Sequence, residues 1–195
     1  MPARLCVLIV GNSLEASAVR TWVRSTRTAL AQHSLTPTPA DPNARVRATR
    51  AGYAYRVFAV EELATGQTVL VIDGEPVERP SRWSMQVDTH RHISVRDDLA
   101  LAELLERYPW RFTNHACEPN TRLMGTTLVA VRPIAAGEEI TFNYNTTELD
   151  LAEPFACRCG HALCARSIRG FRHLTPEERE RLRPLLAGHL LKLLA

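Results

Sequence analysis

RFTNHACEPN, residues 111–120, packs an Arg, an Asn-His pair, a Cys and a Pro-Asn turn into ten positions. What scaffold needs all of them together depends on where the other cysteines lie. There are five in the chain: Cys6, Cys117, Cys157, Cys159 and Cys164. An odd count with no recognisable export signal argues against a disulfide framework and for thiols kept reduced. The stretch CRCGHALC, residues 157–164, has C-x-C-x4-C spacing, and a turn at Gly160 lets three thiolates converge. A structural zinc site takes four ligands in a tetrahedron at ~2.3 Å, so three local cysteines leave one corner for Cys117 or His161. Cys117 is the better candidate, because Pro119 stiffens its loop while His161 sits inside the short CRCGHALC turn. Such a site would tie a central loop to the C-terminal tail. Cys6, in an apolar run, reads as a small buried hydrophobe.

Composition sets the class. Of 195 residues, 45% are hydrophobic and 23% charged, the profile of an ordinary globular chain able to bury a core. No apolar run approaches the ~20 residues of a membrane span, and LCVLIV near the start is followed by polar GNSLEAS rather than a cleavage site. The expectation is a cytoplasmic protein with no membrane contact. The net charge of +3 is uneven: residues 1–50 hold seven Arg against Glu15 and Asp41, +5, which leaves −2 for the rest. Such an arm reads first as a solubilising face, and second as a weak contact for nucleic acid or an acidic partner.

Along the chain, RLCVLIVG reads as a buried strand and SLEASAVRTWVRSTRTALAQ as a helix, before HSLTPTPADPN breaks the pattern with three prolines. A boundary is placed near residue 45. From there to about 155, short apolar runs alternate with turn residues: YRVFAV, TVLVID, SMQV, HISV, TLVAV and EEITFNY. DDLALAELLERY interrupts them as a short helix that Asp97 or Asp98 could cap. At the end, Thr175, Pro176 and Glu178 make a capping-box start to a kinked helix whose leucine stripe packs on its own domain. The expected class is β-rich α+β, with segments 1–45 (extension and linker), 46–150 (main domain), 151–172 (cysteine tail) and 173–195 (terminal helix).

Four segments resemble one family. RFTNHACEPN is similar to the R-F-x-N-H-x-C-x-P-N signature of SET-domain protein lysine methyltransferases, and GEEITFNYN, residues 137–145, to their G-E-E-L-T-F-D-Y motif. CRCGHALCARSIRG resembles the post-SET tail, and GYAYRVFAVEELATGQTVL a degenerate form of the opening G-x-G-x-F-A strand. The resemblance implies a SET fold of small curved sheets tied by a pseudoknot of the two central motifs, a zinc-binding post-SET tail, and methyl transfer from S-adenosylmethionine to lysine in a protein or peptide. It also implies roles. Tyr144 would be the active-site tyrosine, Asn114 and His115 would hold the cofactor with Arg111 and Phe112 in the same pocket, and Phe142 would stand beside them. Zn2+ would be held by Cys117, Cys157, Cys159 and Cys164.

Four positions depart from the family pattern. Ala54 and Arg56 replace the glycine pair, Asn143 stands where Asp is usual, and Trp83 falls where many members place a second tyrosine. These departures leave open a second reading, a catalytically inactive SET module that acts as a protein-interaction domain. His33, His90, His92, His173 and His189 show no ligand spacing and are expected at the surface.

Overall fold

The computed structural model describes residue 41 and residues 43–194. Cys6, His33, the first strand and helix, and the basic arm up to residue 40 lie outside the described residues. The architecture is small antiparallel sheets with few helices, as expected. Strands β1 (Val46–Ala51) and β2 (Ala54–Ala59) form a hairpin whose tight turn places Gly52 at φ 66°, a value glycine takes without a Cβ clash. Strand β3 (Thr68–Val71) pairs with β9 (Thr127–Ala130), which pairs with β8 (Thr121–Met124). Strands β4 (Glu75–Val77), β6 (Arg91–Ser94) and β5 (Met85–Asp88) form the second three-stranded sheet.

Apolar residues of these strands and of the segments between them meet in one core. Val57, Val69, Leu70, Leu128, Ile134 and Ile140 are all fully buried there. Each such side chain contributes roughly 1.5–3 kcal/mol relative to exposure, so the core and not the short ladders holds the sheets together.

Strand β7 (Asn114–His115) lies within the opening motif and pairs in parallel with β10 (Thr141–Phe142) of the second motif, Asn114 opposite Thr141 and His115 opposite Phe142. Asn120 locks this junction. Its Nδ2 donates to the Glu139 carbonyl (2.8 Å) and to Glu138 Oε1 (3.0 Å), while its Oδ1 accepts from the Thr141 amide (2.8 Å). At 1% exposure the side chain has little access to water, and these bonds replace the ones it would make there.

Two helix expectations need correction. Helix α1 (Leu101–Arg107) starts at Ala100 without a side-chain cap. Both candidate caps are engaged elsewhere, Asp98 by Arg96 and Asp97 by Arg111. The C-terminal segment is two short helices rather than one kinked helix. Helix α2 (Pro176–Leu182) has the full capping box, with Thr175 accepting from the Glu178 amide and Glu178 reaching back. A single turn at Arg183–Leu185 carries Pro184, Leu186 and Ala187 then adopt extended backbone, and α3 (Gly188–Leu191) follows. The leucine stripe still packs on its own domain, Leu182, Leu186 and Leu190 closing over Phe171 and Leu174.

Strands β11 (Phe155–Ala156) and β12 (Ser167–Ile168) form the base of the cysteine tail. The tail then returns close to the residues after the second motif. A Cβ at Gly170 would lie 2.7 Å from the Leu149 carbonyl oxygen, and φ there is +105°, so only glycine fits. Asn145, 1% exposed, fixes the same crossing by accepting from the Gly170 amide (2.9 Å).

Candidate functional site

The motif residues converge on one cavity of about 630 Å³. Arg111, Phe112, Asn114, His115, Phe142 and Tyr144 all line it, and Tyr55, Trp83 and Phe155 add aromatic wall from three other segments. That volume lies in the range of small-molecule pockets, ~300–1,000 Å³.

The side chains in this wall are already constrained. The Tyr144 hydroxyl donates to the Thr113 carbonyl (2.9 Å), which leaves its oxygen lone pairs as acceptors. Burial pushes this phenol well above its ordinary value, so it is neutral at physiological pH and is no general base. His115 has both ring nitrogens committed. Nδ1 accepts from the Tyr144 amide (3.2 Å), so Nε2 carries the proton and faces Cys117 Sγ (3.3 Å). Burial lowers its pKa to about 4. The ring also meets Tyr144 and Phe155 edge-on, with centroids 5.4 and 5.7 Å apart. Any hold on a ligand therefore falls to its backbone and ring edge. Asn114 donates through Nδ2 to the Tyr55 carbonyl (3.2 Å) and to Glu139 Oε1 (2.9 Å). Arg111 reaches the Val95 carbonyl and Asp97, and its guanidinium lies 5.1 Å from the centre of the Trp83 ring, itself 42% exposed.

The four cysteines meet beside the cavity. Cys117, Cys157, Cys159 and Cys164 place their sulfurs within 4.8 Å of one another, with Cys117 at 3.8 Å from Cys157 and 3.9 Å from Cys164. A tetrahedron with ~2.3 Å metal–sulfur bonds has edges of ~3.8 Å, so the donor set fits zinc in number, type and spacing. The thiols alone are mismatched. Burial pushes the Cys117 and Cys157 thiols up, whereas Cys159 is brought down to about 6, chiefly by the His161 backbone amide. Four adjacent thiols ionise together only around a cation. His161 lies 2.7 Å from Glu118 Oε2 through its Nδ1, and the fourth sulfur in the group is that of Cys117.

The departures fall into place as well. Arg56 does not line the cavity and pairs with Glu139, whereas Ala54 does line it with its single methyl. Asn143 caps the turn at Tyr144–Thr146 by accepting from the Asn145 amide, and its Nδ2 reaches the Cys117 carbonyl (3.4 Å).

Two histidines expected at the surface are buried. His92, 9% exposed, has Nε2 3.3 Å from Glu148 Oε2, and His189, 5% exposed, bonds the Thr147 carbonyl (2.8 Å). Their strand and helix neighbours close over them after folding, and nothing in the local pattern signals it. Sequence reading also missed Asn120, Glu139 and Glu148. Asn120 ends the opening motif and Glu139 stands in the second, so a buried Pro-Asn turn was the available signal for the first. Glu148, which accepts from the Gln86 amide (2.8 Å), carries no such mark.

A parallel junction of two motifs among small sheets, a cavity at that junction and a cysteine cluster at its edge together define a SET domain. The sequence matches the SET domain family across residues 11–145, and the chain belongs to that family. Its relatives include Methyltransferase flvH of Aspergillus flavus, 32% identical over 99 residues, 49% of this chain and 49% of that protein. The H3 lysine-36 specific histone-lysine N-methyltransferase of Chaetomium globosum is 40% identical over 70 residues, 31% of this chain and 8% of that protein. Among solved structures, KRYPTONITE in complex with mCHG DNA and SAH is 21% identical, covering 61% of this chain and 27% of that one with a TM-score of 0.45. The chain spans about half the length of the first relative and under a tenth of the second.

Proposed function

We propose that this chain transfers methyl groups from S-adenosylmethionine to lysine side chains of a protein or peptide, with a structural zinc in the four-cysteine cluster. The observation that carries the reading is the placement of Asn114, Phe142 and Tyr144 on one cavity directly beside the four sulfurs. S-adenosylmethionine supplies a methyl group activated by a sulfonium charge. The chain's own work is alignment and exclusion of water, which can be worth ~7–11 kcal/mol for well-oriented reactants. Asn114, His115, Arg111 and Phe112 form the cofactor side of the wall. Phe142 and Tyr144, with ring centroids 4.7 Å apart, form an apolar surface against which a neutral amine is favoured over an ammonium. Tyr144, its proton held by Thr113, offers the amine an oxygen acceptor and fixes its direction. Zinc would close the cluster and hold the tail, with Phe155, against His115.

A cytoplasmic location agrees with this reading, because Cys117, Cys157, Cys159 and Cys164 are free cysteines and metal binding needs them reduced. The H3 lysine-36 specificity of the Chaetomium relative makes a basic, lysine-containing peptide the first substrate to try. Radiolabelled transfer onto a peptide array, followed by mass spectrometry, tests the reading. It predicts labelled lysine with the wild-type protein and roughly a hundredfold loss or more for Tyr144→Phe. Absence of labelling together with absence of calorimetric heat from S-adenosylmethionine would leave the inactive interaction module as the better account.

A further inference from the structure

Asn114 is built to present one atom to the cavity, and the parts that build it lie outside the residues so far given a role. Its Nδ2 faces two groups that only accept, the Tyr55 carbonyl (3.2 Å) and the Glu139 carboxylate (2.9 Å). Rotating the amide by half a turn would set its oxygen against both, so the orientation is decided by its neighbours. No donor among the described residues reaches Oδ1, and that atom is not sealed from solvent. Glu139 is itself held: its second oxygen takes a 2.6 Å ion pair from Arg56, which comes from β2 and does not line the cavity. Two segments, strand β2 and the second motif, thus converge on the rotamer of one amide.

We propose that Arg56 and Glu139 are positioning residues, which keep Asn114 Oδ1 turned into the cavity as an acceptor for a cationic N–H group of the bound cofactor. This rests on the S-adenosylmethionine reading above, since that cofactor carries an ammonium group. With Glu139 removed, a single 3.2 Å bond to Tyr55 is left to choose between two amide orientations, and the acceptor is no longer fixed. Glutamine at the same place keeps a neutral acceptor for Nδ2. The backbone duties of Glu139, its bridge to Phe58 and its carbonyl bond from Asn120, do not depend on its side chain.

The test is calorimetric titration of S-adenosylmethionine into wild type, Glu139→Ala, Glu139→Gln, Asn114→Ala, the Glu139→Ala/Asn114→Ala double variant and Arg56→Ala. Glu139→Ala should weaken binding about tenfold, the scale of one charge-assisted hydrogen bond, with Glu139→Gln recovering most of it. The double variant should bind no worse than Asn114→Ala alone, because Glu139 acts only through Asn114. A double variant whose loss is the product of the two single losses overturns the proposal while sparing the reading, as does Glu139→Ala binding like wild type. If Glu139→Ala does not fold, Arg56→Ala decides by the same criterion: weakened binding supports positioning and unchanged binding overturns it. A wild-type protein that binds no S-adenosylmethionine overturns both.

Discussion

The junction of the two motifs and the cysteine tail sit side by side yet are held in opposite ways. At the junction, Asn120, Thr121, Phe142, Asn143 and Asn145 are all buried, and backbone ladders, side-chain bonds and apolar packing act together. Between residues 155 and 168 of the tail, Phe155, Ala156 and residues 158–163 are exposed, the β11–β12 ladder is two residues long, and only Cys157 and Ile168 are buried. A segment with so little apolar surface cannot offset ordering costs of ~1–2 kcal/mol per residue by packing. It needs another source of order, and a metal held by the four sulfurs would supply one. On the proposed reading the site is half self-supporting and half dependent on that metal.

The largest effect should come from breaking the tail alone. Chelation of the metal, or Cys117→Ser, should release residues 155–168 to limited proteolysis and lower methyl transfer roughly a hundredfold or more, while thermal unfolding of the sheets barely changes. Joint loss of both regions would contradict the division. Next, Leu128→Ala, at a fully buried position, should cost about 2–5 kcal/mol in urea unfolding, whereas Leu163→Ala, 65% exposed in the tail, should stay within about 0.5 kcal/mol. Equal costs at the two leucines would remove the contrast. Asn120→Ala should cost about 1–3 kcal/mol by the same measurement, since it removes the partner of the half-buried Thr141 amide and a buried set of bonds to Glu138 and Glu139.

How much of this was legible in the chain follows the same line. Cys117, 40 residues before Cys157, could be preferred to His161 for its Pro-stiffened loop. The three tail cysteines could be read from spacing, and the strands from short apolar runs set between turn residues, because both signals are local. The Thr175 capping box was legible for that reason too. Asp97 and Asp98 looked like helix caps until Arg111 and Arg96, set by tertiary contacts, engaged them. Pro184 signalled an irregularity, but whether the segment would kink or split depended on the packing of Leu186 and Ala187. The burial of His92, His189 and Glu148 depends on contacts between distant segments, which no local pattern carries.

The smallest effect is a pH dependence confined to the packed region. Burial holds the His189 pKa below its ordinary 6.5, so the unfolded chain binds a proton that the folded one resists. The stability present above about pH 6.5 is then lost as pH falls from there toward the folded value. Thermal scans at stepped pH should show melting temperature declining below pH 6.5, and His189→Gln should lessen the decline, with buried His115 sustaining the remainder.

On the proposed reading, a mid-chain sulfur and three tail sulfurs form one metal site that completes the cavity. Elemental analysis of protein purified without added metal is the decisive measurement. One zinc per chain in wild type, and far less in Cys117→Ser, is the predicted result; a folded wild-type protein that carries no metal would contradict it.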